Sequence, residues 1–593
     1  MRRMALIVVR SIRIDSAANV GRVDGNSPIL SRSGDPDLPP ADLGPSLRTD
    51  SVSTEGRAAR PVTLGVLLDE RIQERWVLES LIQALAVPGV GVGVVAVARG
   101  DPRRSIVSRL HRTFDRIDKQ LQCRRERLFV PTDVAAELAV PTLNIEVIRH
   151  SDGWSPDEAG VAALRRCGVD VWLCFAAMPP RRPLCPVSRL GVWGIEIGQG
   201  VSAASVWAGA TEIGAGSPVT MLSIVDYAEP RNGLLYRTFG TTVRNSVRLN
   251  RLTCLRKGMS FFRRLLERLT SNGDTWRPVR RETPAVPAHY PALREPTVPA
   301  MVRLSWRLAS KAAGRLRSLR WRDQWQLAYC FANEGEAGCP FERLRYLAPP
   351  KDRFWADPFA IEHQGRYFIF FEELPFSTGR GRIMAMEVFE NAEPGEAQVV
   401  LERPYHLSYP FIFAWAGSLY MMPETAENRT VEVYRCEAFP LRWRLHQVLL
   451  ENVSAYDATL WRTDDRWWMF VNIAEPRADS TDELHLYWST TPLGPWTAHR
   501  GNPVVSDVRS ARPAGPLFSR NGKLYRPSQD STLAYGHSVL INRVDVLRED
   551  DYRETVVHRI APNWRKDIFC VHTFGRSKRL RVVDYMVSRK KHF

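Results

Sequence analysis

From Pro61 onward the apolar positions run first in blocks and later in alternation. The block "PVTLGVLLD" reads as a buried strand, "ERIQERWVLESLIQALAV" as an amphipathic helix, and "GVGVGVVAVA" as a second buried strand. Helical spacing returns in "SPDEAGVAALRRCG" and is followed by the strand-like "VDVWLCFAA" at 169–177. Near-continuous apolar strands alternating with helices predict a doubly wound parallel sheet, because a strand covered on both faces has no polar side. This α/β domain is read at 61–270, ending after the basic helical pattern "VRLNRLTCLRKGMSFFRRLLERL".

The pattern then breaks. Residues 271–325 comprise a Pro-rich linker, "RPVRRETPAVPAHYPALREPTVPA" (277–300), and a basic helix, "MVRLSWRLASKAAGRLRSLRWRDQW" (301–325). From 326 to 593 short aromatic runs recur with turns between them: "DPFAIEHQGRYFIFFEE", "YPFIFAWAGSLYMMPE", "DATLWRTDDRWWMFVN" and "AGPLFSRNGKLYRPSQD". They start at residues 357, 409, 457 and 514. A strand-built repeat of about 50 residues predicts a β-propeller. A weaker unit at 567–587 makes five blades, with "WQLAYCFA" (325–332) closing the ring. Residues 1–60, rich in Ser, Gly, Asp, Pro and Arg, show no periodicity and are expected to be disordered.

Charge narrows the partners. The 593 residues hold 82 Lys+Arg against 65 Asp+Glu, a net charge of +17, which favours lipid headgroups, nucleotide-sugar phosphates or nucleic acid. No nucleic-acid reading motif accompanies the charge, so nucleic acid is the poorest fit. Within 301–325, Arg303, Arg307, Lys311 and Arg315 interleave with Leu304, Trp306, Leu308 and Leu316. That pattern suits an anionic membrane surface, and equally a linker helix with a solvated basic face. Nine scattered Cys without a C-x-x-C pair suggest reduced thiols and a cytoplasmic protein. The Arg-interrupted start "MRRMALIVVRSIRI" is too short for a secretory signal. The longest apolar run (87–98) falls short of the roughly 20 residues a spanning helix needs. A peripheral membrane attachment stays compatible with both features.

The candidate chemistry lies in the repeats. Innermost propeller strands gather their first residues at one mouth, so acids far apart in sequence converge. Asp357 opens blade one and Asp457 blade three, while Glu424 and Asp530 end the hairpins of blades two and four. Paired carboxylates are what glycosidic bond cleavage requires, one as proton donor and one as base or nucleophile. Arg512, Arg526, Gln529, Asp530 and Tyr535 cluster in one stretch, and Arg429 follows Glu424. Arg forks suit anionic groups. The bland alternatives are turn acids at strand starts and inter-blade salt bridges. No metal-ligand spacing and no cofactor motif is read, and the first strand–helix turn lacks G-x-G-x-x-G.

"WADP", "YPFIF…G.LYMMPE", "DATLW…DDRWWMF" and "AGPLF…NGKLY" resemble the blade starts of the five-bladed arabinanase, xylosidase and invertase clan of glycosidases. More closely, they resemble the N-terminal domain of plant glucosamine inositolphosphorylceramide transferase and its bacterial relatives. The clan resemblance implies that Asp357 is the base and that Asp457 tunes the acid. The clan's general-acid Glu precedes Gly-Pro in blade four, where Ala514 stands here. Losing such a donor costs on the order of 10²–10⁴-fold in rate, with Glu424 or Asp530 as stand-ins.

The block at 191–239 resembles the core of formyltransferases of the methionyl-tRNA and sugar-N-formyl type. That resemblance implies a Rossmann-like parallel sheet. The family's Asn, His and Asp are matched by Gly194, Glu196 and Arg231, so a formyltransferase fold without formyl transfer is expected. The combined expectation is a carbohydrate-active protein of glycan or glycolipid assembly, taking a carbohydrate or nucleotide-sugar ligand at the propeller mouth. The alternatives are a non-catalytic sugar-binding or scaffold protein, and a formyltransferase acting on a sugar amine.

Overall fold

The computed structural model describes residues 61–590 apart from 100–106, 151–152, 182–186, 199, 229–232, 273–300, 303, 307–320 and 334–340. The expected disordered tail (1–60), the Pro-rich linker and most of the basic helix lie outside the described residues.

Eight strands form the N-terminal sheet: β1 Val62–Leu68, β2 Val90–Arg99, β3 Thr142–His150, β4 Gly153–Pro156, β5 Val171–Cys174, β6 Val192–Ile197, β7 Val219–Asp226 and β8 Leu234–Thr241. Their order is β8-β7-β6-β5-β1-β2-β3-β4. The five central strands from β6 to β3 pair in parallel. β7 and β8 at one edge and β4 at the other are antiparallel, so the sheet is mixed rather than purely parallel. Among the described residues six helices accompany it: α1 Trp76–Leu85, α2 Val107–Gln122, α3 Val134–Leu138, α4 Glu158–Arg166, α5 Ala210–Ala215 and α6 Val247–Asn272.

Four of the five central strands, β1, β2, β5 and β6, feed two cores. Leu64, Val66 and Leu68 of β1 pack with Trp76 and Leu81 of α1 and with Phe262 and Leu266 of α6. Leu67 points the other way, into a cluster with Trp154, Leu164 and Trp172. Burial of each such side chain is worth roughly 1.5–3 kcal/mol against leaving it exposed. Gly65 is required because a Cβ there would stand 2.4 Å from the Trp172 ring. α4 starts where Asp157 accepts a hydrogen bond from the Gly160 N–H at 2.7 Å and ends on Arg165 and Arg166, complementing its dipole at both ends.

The C-terminal half is a five-bladed propeller. Blade one is Arg353–His363, Arg366–Pro375, Arg382–Val388 and Gln398–Leu401. Blade two is Ser408–Trp415, Ser418–Thr425, Thr430–Ala438 and Arg442–Glu451. Blade three runs from Ala455–Arg462 to Thr497–Ala498, and blade four from Phe518–Arg520 to Tyr552–Ile560. The fifth blade joins the two ends of the propeller. Trp321–Phe331 runs antiparallel to Leu580–Lys590, in register from Trp321↔Lys590 to Phe331↔Leu580.

That closing strand begins at Trp321, inside the stretch expected to be basic helix up to 325. An eleven-residue ladder to Leu580–Lys590 overrides the helical spacing there. Of the expected helix, Met301, Val302 and Leu304–Trp306 are helical among the described residues.

The two halves are joined by more than a linker. The β8 edge continues into the propeller through Val508 N–H to Phe239 O at 2.9 Å and Phe239 N–H to Ser506 O at 3.3 Å. α6 lays its basic side on blade three. Lys257 Nζ stands 3.0 Å from Asp482, and Arg264 bonds both Glu483 and Glu475 at 2.7 Å. These charges are buried, so each must be matched by its partner. Among the described residues, no helix is long and apolar enough to cross a membrane.

Candidate functional site at the propeller axis

The inner strands of blades one, two and three share one distortion. Asp357, Tyr409 and Asp457 have φ of 52°, 45° and 56°, a left-handed conformation uncommon for any residue but glycine. Each lies inside a break in its ladder, between Ala356 and Phe359, Ser408 and Phe411, and Tyr456 and Thr459. A β-bulge re-aims one side chain. Here the same bulge recurs in three blades, and the side chains it turns come into electrostatic contact with one another: Asp357 with Asp457, and both with Tyr409.

The residue paired just before each bulge supplies a second set. Ala356 pairs with Glu372, Ser408 with Glu424 and Tyr456 with Asn472. Glu372 therefore stands in blade one where Glu424 stands in blade two. Sequence reasoning did not select Glu372, although the spacing from Ser408 to Glu424 repeats from Ala356 to Glu372 and would have found it.

Asp357 is held by blade five. His572 Nε2 lies 3.2 Å from its Oδ1, and Thr573 Oγ1 donates to the same oxygen at 2.9 Å. Its own N–H donates to Asp584 Oδ2 at 3.1 Å. Burial alone would raise the Asp357 carboxyl, but His572, Thr573 and the nearby Arg512 bring it below its ordinary value. Burial works against the His572 imidazolium, yet Asp584 and Asp357 on its two sides push it up to about 10. Asp357 is thus ionised against a charged imidazole.

Asp457 and Glu424 meet Arg512. The Arg512 guanidinium donates to Asp457 Oδ2 at 2.6 Å, to Asp457 Oδ1 at 3.2 Å and to Glu424 Oε2 at 3.2 Å. Gln529 Nε2 adds a bond to Asp457 Oδ2 at 3.1 Å. Arg512 also lies 5.2 Å from the ring centres of both Tyr456 and Tyr535. Burial, then Asp457 and Asp357, hold the Glu424 carboxyl well above the usual range despite Arg512. Glu372 is raised likewise by burial and by Asp357 and Glu424, and its Oε1 makes no hydrogen bond. His406 Nε2 lies 3.3 Å from that oxygen, and burial brings the His406 imidazole down to about 4. The axis therefore sets an acid held below its ordinary value beside two held well above theirs.

Asp357, Asp457, Glu424, Arg512, Gln529 and Tyr535 are brought together at this axis. Three other expected ligand residues are engaged elsewhere. Arg526 is fully buried in blade four, bonded to Glu554 and the Ser510 carbonyl. Asp530 pairs with Arg559 at 2.7 Å. Arg429 bonds the Asn452 carbonyl and lines a cleft of about 280 Å³ with Arg264 and Glu475. Ala514, at the expected position of the acid, is fully buried; its carbonyl accepts from Phe574 N–H at 2.8 Å. The next N–H, that of Gly515, donates to Tyr409 Oη at 2.8 Å.

Asp357, His572 and Asp584 bring ligand-type atoms within 4.8 Å of one another, a grouping that meets the geometric demand of a metal site. Their bonding does not fit one ion. The two His572 nitrogens face different carboxylates, and Asp584 accepts from three backbone N–H groups, those of Asp357, His572 and Thr573.

In the α/β domain, a Cβ on Gly194 would stand 2.4 Å from the Tyr227 ring, so no side chain fits where an Asn was sought. Glu196 is buried, with Arg237 as a nearby charge, and Arg231 lies outside the described residues.

Comparison with known proteins bears on the propeller. Curated relatives include glucosamine inositolphosphorylceramide transferase 1 of Oryza sativa subsp. japonica, 35% identical over 209 residues, which is 35% of this chain and 28% of that protein. The Arabidopsis thaliana protein of the same name is 33% identical over 208 residues, 34% of this chain and 27% of that one. The matched span thus takes little more than a quarter of those relatives' length. Similar solved structures include a family 117 glycoside hydrolase produced by the marine bacterium Zobellia galactanivorans, at 12% identity and a TM-score of 0.30, covering 45% of this chain and 90% of that one. A Cellvibrio cellulosa alpha-L-arabinanase complexed with arabinohexaose gives 14% identity and a TM-score of 0.27, covering 34% and 77%. Residues 347–583 match the family model described as glucosamine inositolphosphorylceramide transferase 1, N-terminal, the resemblance that the blade openings carry.

Proposed function

We propose that the propeller axis is a carbohydrate site in glycan or glycolipid assembly, and that it processes the sugar by acid–base chemistry. The match of residues 347–583 to the N-terminal model of glucosamine inositolphosphorylceramide transferase 1 supports the substrate class. The chemistry rests on neighbouring carboxyls pulled in opposite directions: His572 and Thr573 bring Asp357 below its ordinary value, while burial and nearby carboxylates hold Glu424 and Glu372 well above theirs. Environments that push neighbouring carboxyls apart are how an acid and a base are assigned.

In this reading Asp357 receives the proton of the attacking hydroxyl, or faces the positive charge that develops at the sugar carbon. A protonated Glu gives its proton to the leaving oxygen. Glu372 and Glu424 fill the role left vacant by Ala514, and Glu372 has the oxygen free of protein hydrogen bonds. Asp457, bound in a fork to Arg512, fixes the charge around Glu424 rather than reacting. The α/β domain serves the propeller as scaffold, its Gly194 position closed by Tyr227.

A non-catalytic binding or scaffold propeller is the competing reading. It is favoured by how little of the cluster meets solvent, with Asp357 5% and Asp457 1% exposed. A turnover screen with nucleotide sugars and aryl glycosides separates the two. The catalytic reading expects product with the wild-type chain and a loss of about 10²–10⁴-fold with Asp357→Asn and with Glu372→Gln. Sugar binding without turnover in wild type and variants alike selects the scaffold.

A further inference from the structure

In the C-terminal half of α2 the acids face the domain, while Ile117 and Leu121 face solvent. Asp115 bonds Arg248 of α6, and Asp118, only 6% exposed, accepts from the Arg248 N–H at 2.9 Å. Lys119 Nζ donates to the Phe129 carbonyl at 3.1 Å. Ile117 and Leu121 are left 52% and 73% exposed. A helix of a globular domain normally buries its apolar stripe. This one buries its acids.

The exposed stripe continues onto neighbouring segments. Phe114, one turn before Ile117, packs in a cluster with Met301 and Leu304, and that second segment leaves Val302 63% and Trp306 72% exposed. At the other end Lys119 ties α2 to Phe129, next to Val130, which is 47% exposed. Five of the sixteen large exposed hydrophobics among the described residues, Ile117, Leu121, Val130, Val302 and Trp306, fall on α2 and the segments packed or bonded to it. A concentration of that kind marks an interaction surface.

Exposed arginines lie on α2 and the segment that follows it. Arg116, Arg124, Arg125 and Arg127 are exposed and have no ion partner among the described residues. The acids nearby are engaged with other arginines: Asp115 with Arg248, Glu126 with Arg256 and Asp133 with Arg71. A second copy of this face would bring arginine against arginine. An anionic surface would not.

We propose that this face, centred on Ile117, Leu121 and Trp306, docks onto an anionic lipid surface, its apolar residues in the headgroup boundary and its arginines on lipid phosphates and carboxylates. Apolar burial with basic residues at the edge is how an interfacial helix binds. The site lies on the α/β domain and is independent of the chemistry at the propeller axis.

The test is sedimentation of the full chain with vesicles of phosphatidylcholine containing about 30% phosphatidylserine, beside pure phosphatidylcholine. Binding is expected to the anionic vesicles and to weaken at least about tenfold in the Ile117→Ser, Leu121→Ser double variant, whose exposed positions leave the fold intact by circular dichroism. Arg124→Glu with Arg125→Glu is expected to remove the preference for anionic lipid, at about fivefold or more per arginine. No binding by the wild-type chain, equal binding by the serine variant, or a dimer that the serine variant abolishes in the absence of lipid would each overturn the proposal.

Discussion

The imidazole of His572 stands 3.2 Å from Asp357 Oδ1, across the seam where blade five meets blade one. The seam matters because it joins the last blade to the first. The pair therefore reports both ring closure and the charge state of the axis.

His572 should carry its proton at neutral pH. Its imidazole, ordinarily near 6.5, is pushed up to about 10 by Asp584 and Asp357. A raised cationic group stabilises the fold fully below the unfolded value and loses that contribution as pH rises through the folded one. Its contribution should thus be complete below about 6.5 and gone above about 10. Nitrogen-detected NMR titration of the His572 ring checks the value directly, and denaturant midpoints between those limits check the sign. His572→Leu leaves two buried carboxylates facing each other and should cost roughly 3–5 kcal/mol.

Arg512 neutralises the other side of the axis. Arg512→Met would leave Asp457 and Glu424 buried without their cation and should destabilise by roughly 3–5 kcal/mol. Arg512→Lys restores the charge but not the fork that holds both Asp457 oxygens. It should recover part of the loss, as chemical denaturation of the three proteins would show.

The blade-four opening tolerates only glycine at 515. Gly515 has φ +124°, and a Cβ there would stand 2.1 Å from the Phe574 carbonyl oxygen. Gly515→Ala should lower stability by about 2 kcal/mol or more, because neither the dihedral nor the backbone contact can relax cheaply. A fall in thermal midpoint with unchanged far-ultraviolet dichroism at low temperature is the expected result.

The interface between the domains should melt when its buried charges are broken. Arg264→Ala removes the guanidinium shared by Glu483 and Glu475, leaving them only Lys257 at 3.5 Å and Arg263 at 3.0 Å, and should cost up to about 3–5 kcal/mol at the interface. Calorimetry is expected to show one transition for the wild type and two for the variant.

Much of the propeller was legible in the sequence because its signal is repetition. The openings at 357, 409, 457 and 514 mark the inner strands or, in blade four, the residues leading into them, and "WQLAYCFA" closes the ring as expected. Asp357, Asp457 and Glu424 could be selected because a repeat makes equivalent positions comparable. Glu372 could have been selected the same way, by its distance from the bulge. His572 and Asp584 offered no comparable signal, since they lie in the weakest repeat and act across the seam. Arg526 and Arg429 misled because an arginine near an acid in sequence carries no information about which carboxylate or carbonyl it reaches in space. Lys257 and Arg264 were read as part of a basic helix, and only the fold reveals that Asp482 and Glu483 cover them. In the α/β domain the apolar blocks located the central parallel strands, while the antiparallel edges followed from chain reversals that periodicity does not record.

Saturation-transfer NMR on the full chain, with a pool of amino sugars, pentoses and nucleotide sugars, tests the axial site most directly. The wild type should transfer saturation to at least one sugar, and Asp357→Ala, with its folded propeller checked by circular dichroism, should lose that transfer. Identical transfer by both proteins, or transfer that persists only through residues of the α/β domain, would contradict a carbohydrate site at the propeller axis.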